Sequence, residues 1–139
     1  MSKSLDILLL GWPDGERDHH ITLPVMLYLK KKYGLNVKFE NIFNGFKLID
    51  RLKPSVLMIG CFSGAKVNHE VTKYAYQRGI KVVSLMSEGN ILAKTAKYYL
   101  WGHNHDEELY ADLLLVWSNR AREILVGEYP ELSDRIDVS

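Results

Sequence analysis

The sequence predicts an α/β protein: a Rossmann-like open, mainly parallel sheet of about five to six strands with helices on both faces. Three observations carry this reading. Short apolar runs alternate with longer amphipathic stretches along the whole chain. The runs are apolar on successive residues, as strands covered on both faces are. Glycine or proline follows most amphipathic stretches, where helices stop. At 139 residues the chain is long enough for one domain with a real core.

The first strand is expected over residues 5–10, and a helix over 21–33 follows, with Leu23, Met26, Leu27 and Leu29 near one face. Lys30, Lys31 and Lys32 suit the negative end of that helix, and Gly34 stops it. Strands at 37–42, 55–59, 81–85 and 112–117 alternate with helices at 45–52, 65–78, roughly 91–100 and 119–128. Pro54 and Pro130 mark helix ends, and residues 101–110 form a polar, irregular insertion. Residues 133–139 give a turn and the start of a further strand, so the chain reads as half of a larger two-domain arrangement.

A formal net charge of +1 offers no electrostatic case for a nucleic-acid partner, and 47% hydrophobic with 25% charged residues is ordinary globular composition. Cys61, the sole cysteine, cannot form an intramolecular disulfide. The apolar run at 5–10 is too brief for a signal peptide or a membrane span. The expected location is therefore the cytoplasm, with peripheral contact at the inner face of the membrane left open through Lys30 to Lys32.

Ligands of open α/β sheets collect at the carboxyl ends of the strands. After the first strand, residues 11–20 bring Gly11, Glu16, Asp18, His19 and His20, which are suited either to a ligand or to a solvated loop with a helix cap. Gly11 and Gly15 flank Trp12 and Pro13, so this is not a dinucleotide-binding glycine loop, and Glu40 is weak support for a ribose site. The third strand ends in Gly60-Cys61-Phe62-Ser63-Gly64, where a nucleophile elbow would place Phe62 at the attacking position. A tight turn with a buried cysteine is expected instead, with Ser63 and nearby amides open to a ligand. The fourth strand ends in Ser84-Leu85-Met86-Ser87-Glu88-Gly89-Asn90. There Glu88 is placed either as a general base, its pKa raised by partial burial, or as a helix cap, and Asn90 suits both. His103 and His105 make an incomplete metal shell, so no metal and no cofactor are expected. Tyr98, Tyr99 and Trp101 serve either to stack a sugar or to pack the core.

The first strand ending in Gly11, the segment Ser87-Glu88-Gly89-Asn90, and the strand at 110–117 leading through a helix to Tyr129-Pro130 together resemble the N-terminal, acceptor-side domain of GT-B glycosyltransferases of surface and capsular polysaccharide biosynthesis. The resemblance spans nearly all of this chain but half of such an enzyme. It implies that Glu88 is the catalytic base, with Gly11, Glu16, His19, His20, Ser63 and Asn90 toward the acceptor. It implies a glycan or lipid-linked acceptor, and a C-terminal domain or subunit that binds the nucleotide donor. A sugar or polyol phosphate would then pass from that donor to a glycan hydroxyl, with the present domain inactive alone. Ser118 stands where that pattern has glycine. The alternative is a non-catalytic flavodoxin-like or receiver-like module for a ligand or partner. Cys61 and Ser118 stand where a receiver carries aspartate and lysine, and Trp12-Pro13-Asp14 interrupts a flavin phosphate loop.

Overall fold

The computed structural model describes residues 4–14, 16–86, 89–101 and 108–139, with the side chains of residues 16–18 excepted. One all-parallel sheet of six strands organises it, in the order β2-β1-β3-β4-β5-β6. The strands are β1 (Ile7–Gly11), β2 (Val37–Asn41), β3 (Val56–Gly60), β4 (Lys81–Leu85), β5 (Leu113–Val116) and β6 (Ile136–Val138). The helices are α1 (Glu16–Tyr33), α2 (Gly45–Leu52), α3 (Lys66–Gln77), α4 (Ala96–Leu100) and α5 (Asn119–Glu128). This is the open, Rossmann-like α/β architecture expected from the alternation of runs.

Strand direction explains how the helices divide between the faces. Parallel crossovers are right-handed, so a reversal in the direction of travel across the sheet moves the connecting helix to the other side. The step from β1 to β2 runs one way and every later step runs the other. Accordingly, among the described helices, α1 is the one that covers the face carrying Ile7, Leu9, Met58 and Leu85, using Ile21, Val25, Met26 and Leu29. The opposite face holds Leu8, Leu10, Leu57, Ile59, Val82, Leu114 and Val116, packed beneath Leu48, Val71, Leu100 and Leu125 of the other four helices. With one helix over its side, Val83 and Leu115 on the α1 face are only partly buried.

Two sequence expectations for α1 are corrected. The helix begins at Glu16, so His19 and His20 lie within it rather than in a loop. Leu23 and Leu27 are 45% and 54% exposed, and the face that meets the sheet is instead centred on Val25 and Leu29. The helix is apolar around much of its circumference, so residue spacing alone does not select its buried side. Before α4 the chain makes a 3₁₀ turn at Ala93–Thr95, so the expected helix is shorter than the 91–100 span. Cys61 is half-buried rather than buried.

Carboxylates and guanidinium groups fasten the strand starts. Asp6 accepts the Asn36 amide at 2.7 Å, joining β1 to the start of β2. Asp112 accepts the Val82 amide at 2.9 Å and the Lys81 ammonium at 2.9 Å, joining β5 to β4. Arg135 donates to the carbonyls of Leu109 and Ala111, and Arg122 to those of Ser133 and Ile136, which fixes β6 beside β5. Burial pushes the Asp112 carboxyl up, but the Val82 amide, the Lys81 hydrogen bond and charge, and Arg135 together hold it below its ordinary value. A lowered folded-state pKa supplies stability above the unfolded value and loses it as pH falls through the folded one. In acid unfolding curves, the stability gap between wild type and Asp112→Asn should therefore be full at neutral pH and close progressively below about pH 4. A gap that stays constant into acid would count against this role.

Among the described residues, no helix is long and apolar enough to cross a membrane.

Candidate functional site

β3 leads into α3 through Gly60-Cys61-Phe62-Ser63-Gly64. Cys61 turns the chain sharply, with a φ of +50° that L-residues adopt at a cost of about 1–3 kcal/mol. Two neighbours hold the turn: the Cys61 amide donates to Leu85 O, and the Phe62 amide donates to Ser84 Oγ. Ser84 is wholly buried, so its hydroxyl is a structural acceptor inside the sheet. Phe62, 2% exposed, enters the core, which removes it from any attacking position. A Cβ on residue 64 would lie 2.6 Å from Cys61 Sγ, so glycine is what lets the thiol settle there. Asn68, one turn into α3, donates to the carbonyls of Gly60 and Cys61 and braces the loop from below.

Above this loop lies a cleft of about 360 Å³ at the carboxyl ends of β3 and β4. It is lined by Cys61, Ser63 and Gly64 of the loop, by Met86, which follows β4, and by Thr95, Tyr98 and Tyr99. Tyr99 ties the parts together. Ser63 Oγ donates to Tyr99 O at 2.7 Å, and Tyr99 Oη donates to Asn90 O at 2.9 Å. Thr95 Oγ1 donates to Leu92 O at 3.0 Å and accepts the Leu92 amide, closing the 3₁₀ turn before α4. The strand-end segment is pinned from β5: Trp117 Nε1 donates to Met86 O at 2.6 Å. The same indole lies so close to Gly89 that a Cβ there would meet it at 2.3 Å. Gly89→Ala must therefore push the indole or the segment aside. The expected result is a changed environment for the 53%-exposed Trp117, seen as a shifted indole fluorescence maximum, together with weaker ligand binding in the cleft. An unchanged spectrum would refute the contact.

The sequence-predicted residues separate into groups. Ser63 lines the cleft and donates to Tyr99 O, whereas Asn90 is linked to that wall through its carbonyl, which accepts from Tyr99 Oη. Ser87 and Glu88 lie outside the described residues. Gly11 and His19 gather elsewhere, around Phe39: a Cβ on Gly11 would lie 2.9 Å from that ring, and the His19 ring packs edge-on to it at 4.6 Å. His19 Nε2 is buried with no hydrogen-bond partner among the described residues. His20, with His19, Leu23 and Pro24, lines a separate hollow of about 400 Å³ on α1. The Glu16 side chain, His103 and His105 lie outside the described residues. Glu40 is paired with Lys38 at 2.6 Å. Trp101 is buried, edge-on to Tyr129 at 5.4 Å. Ser118 caps α5, its Oγ accepting the Ala121 amide, so the serine that departs from the glycine pattern has a structural duty. Among the described residues, no three histidine, cysteine, aspartate or glutamate side chains gather as a metal site would require.

The cleft residues that sequence reasoning missed are Thr95 and Met86. Thr95 had a readable signal, since a Thr three residues after Leu92 and just before an apolar stretch is a local turn pattern; Met86 had none beyond its place at a strand end.

Fold and cleft together define an open α/β domain with a cleft on its carboxyl edge. No family model and no curated protein matches the chain.

Proposed function

We propose that this domain is the acceptor side of a GT-B type glycosyltransferase of polysaccharide biosynthesis, with the β3–β4 cleft receiving a glycan or lipid-linked acceptor. The observation that supports the reading best is the position of that cleft. It sits on the carboxyl edge of the sheet, is lined by aromatic and hydroxyl groups suited to a sugar, and has Met86 in its lining immediately before Ser87-Glu88 in the sequence. In the proposed reaction, Glu88 removes the proton from the acceptor hydroxyl as that oxygen attacks the donor's anomeric carbon, and the nucleotide phosphate leaves. For a polyol-phosphate donor, the oxygen attacks phosphorus instead. The leaving phosphate is stabilised by the donor-binding half, a C-terminal domain or separate subunit. Lys30 and Lys31, exposed at the end of α1, are suited to contact with anionic lipid when the acceptor is membrane-bound.

The test is transfer of labelled sugar from a nucleotide donor to a glycan by this domain joined to its donor-binding half. Product formation is the expected result. Glycan binding without turnover would instead assign a non-catalytic binding role.

A second reading has one specific observation in its favour. The first five strands follow the order 2-1-3-4-5, which is that of flavodoxin-like folds. Their function would place flavin or phosphoryl chemistry at the carboxyl ends of β1 and β3. In this chain Trp12 packs edge-on to Phe43 at 5.0 Å after β1, and Cys61 directly follows β3. A yellow protein on purification, or acceptance of a phosphoryl group, would favour this second reading.

A further inference from the structure

We propose that Tyr98 is the residue of this cleft that meets the ligand, its ring serving as the platform on which the apolar face of an acceptor pyranose stacks. The proposal rests on the acceptor-binding reading above. The other hydroxyl-bearing residues of the lining are already engaged: Ser63 donates to Tyr99 O, Tyr99 to Asn90 O and Thr95 to Leu92 O. They build the wall. Tyr98 makes no such bond among the described residues and is 64% exposed at the cleft. Adjacent residues on a helix point about 100° apart, so α4 can turn Tyr99 inward to brace the loop and Tyr98 outward.

The Tyr98 ring also has one side occupied. Lys97 Nζ lies over it, 5.1 Å from the centroid. The proposed ligand takes the opposite ring face. A pyranose presents C–H groups on its apolar face, and these carry a slight positive charge that complements the negative face of an aromatic ring. A tyrosine platform with only two side-chain torsions to fix gives contact area at low entropic cost. Met86 and Cys61 add soft, weakly polar surface to the lining of the same cleft.

The experiment is an NMR titration with methyl pyranosides, comparing wild type, Tyr98→Phe and Tyr98→Ala. Wild type and Tyr98→Phe are expected to bind alike, because the ring and not the hydroxyl makes the contact. Tyr98→Ala is expected to weaken binding roughly 3- to 10-fold, the range of a single aromatic contact, with an unchanged melting temperature. If pyranosides bind wild type and Tyr98→Ala equally, the platform is wrong while the acceptor reading stands. Equal weakening in Tyr98→Phe and Tyr98→Ala would assign the contact to the hydroxyl and also overturn it. Failure of wild type to bind any pyranoside would remove the acceptor reading, and the platform with it.

Discussion

Phe62→Ala is expected to lower the free energy of unfolding by about 3–5 kcal/mol, the usual cost of deleting a buried phenyl ring. The ring is 2% exposed and belongs to the larger of the two core clusters, yet it comes from the loop that forms the cleft wall. Its own amide is held by the buried Ser84 hydroxyl, and the preceding residue sits at a φ of +50°. Burial of the ring opposes the strain at Cys61 and fixes Ser63 and Gly64 above it. Domains are stable by only about 5–15 kcal/mol, so this single change consumes a large share of the margin. At about 4 °C per kcal/mol for this size, the melting temperature should fall by roughly 12–20 °C. Urea unfolding measures the effect directly. Phe62→Leu, which keeps most of the apolar volume, should cost markedly less. A loss below about 1 kcal/mol in Phe62→Ala would mean that the loop is not anchored through the core.

Glu88→Gln is the second large effect. Under the proposed chemistry, the Glu88 carboxylate takes the acceptor's proton; glutamine keeps the shape and cannot. Loss of a general base costs about 10²- to 10⁴-fold in rate. In the protein carrying both halves, kcat should fall by that factor while KM for the acceptor changes little, because the amide still fills the same space. Full activity in Glu88→Gln would sink the assignment. A rise in KM at constant kcat would make Glu88 a binding residue instead.

Much of the fold is legible in the sequence, for a physical reason. Strands covered on both faces must be apolar on successive residues, so the runs at 5–10, 55–59 and 81–85 fall on or within two residues of β1, β3 and β4. The short strand expected near the end of the chain is β6, paired in parallel with β5 through Leu114 and Ile136. The order of strands is not legible, because each run is apolar whichever neighbour it has. The start of α1 was hidden because Glu16 to His20 carry no apolar periodicity.

The site was legible only in outline. The end of β4 and the Ser63 loop stand out as strand ends with chemistry, and of their residues Ser63 and Met86 line one cleft, while Asn90 is tied to its wall through Tyr99. The roles of Tyr98, Tyr99 and Trp101 could not be separated in advance. All three fall in or beside a five-residue helix, too short to show a period, yet one is exposed, one bonded to two segments and one buried. Gly11 and His19 lie against Phe39, a contact made across strands that spacing along the chain does not reveal.

The central claim is that the β3–β4 cleft binds a glycan, and the most direct test is to follow backbone amide shifts while titrating the domain with an oligosaccharide acceptor. The account predicts that the shifts concentrate at Cys61, Ser63, Gly64, Thr95 and Tyr98, with the amides around His20 and Leu23 unmoved. Shifts confined to the hollow on α1, or a response to flavin mononucleotide with none to any glycan, would contradict it.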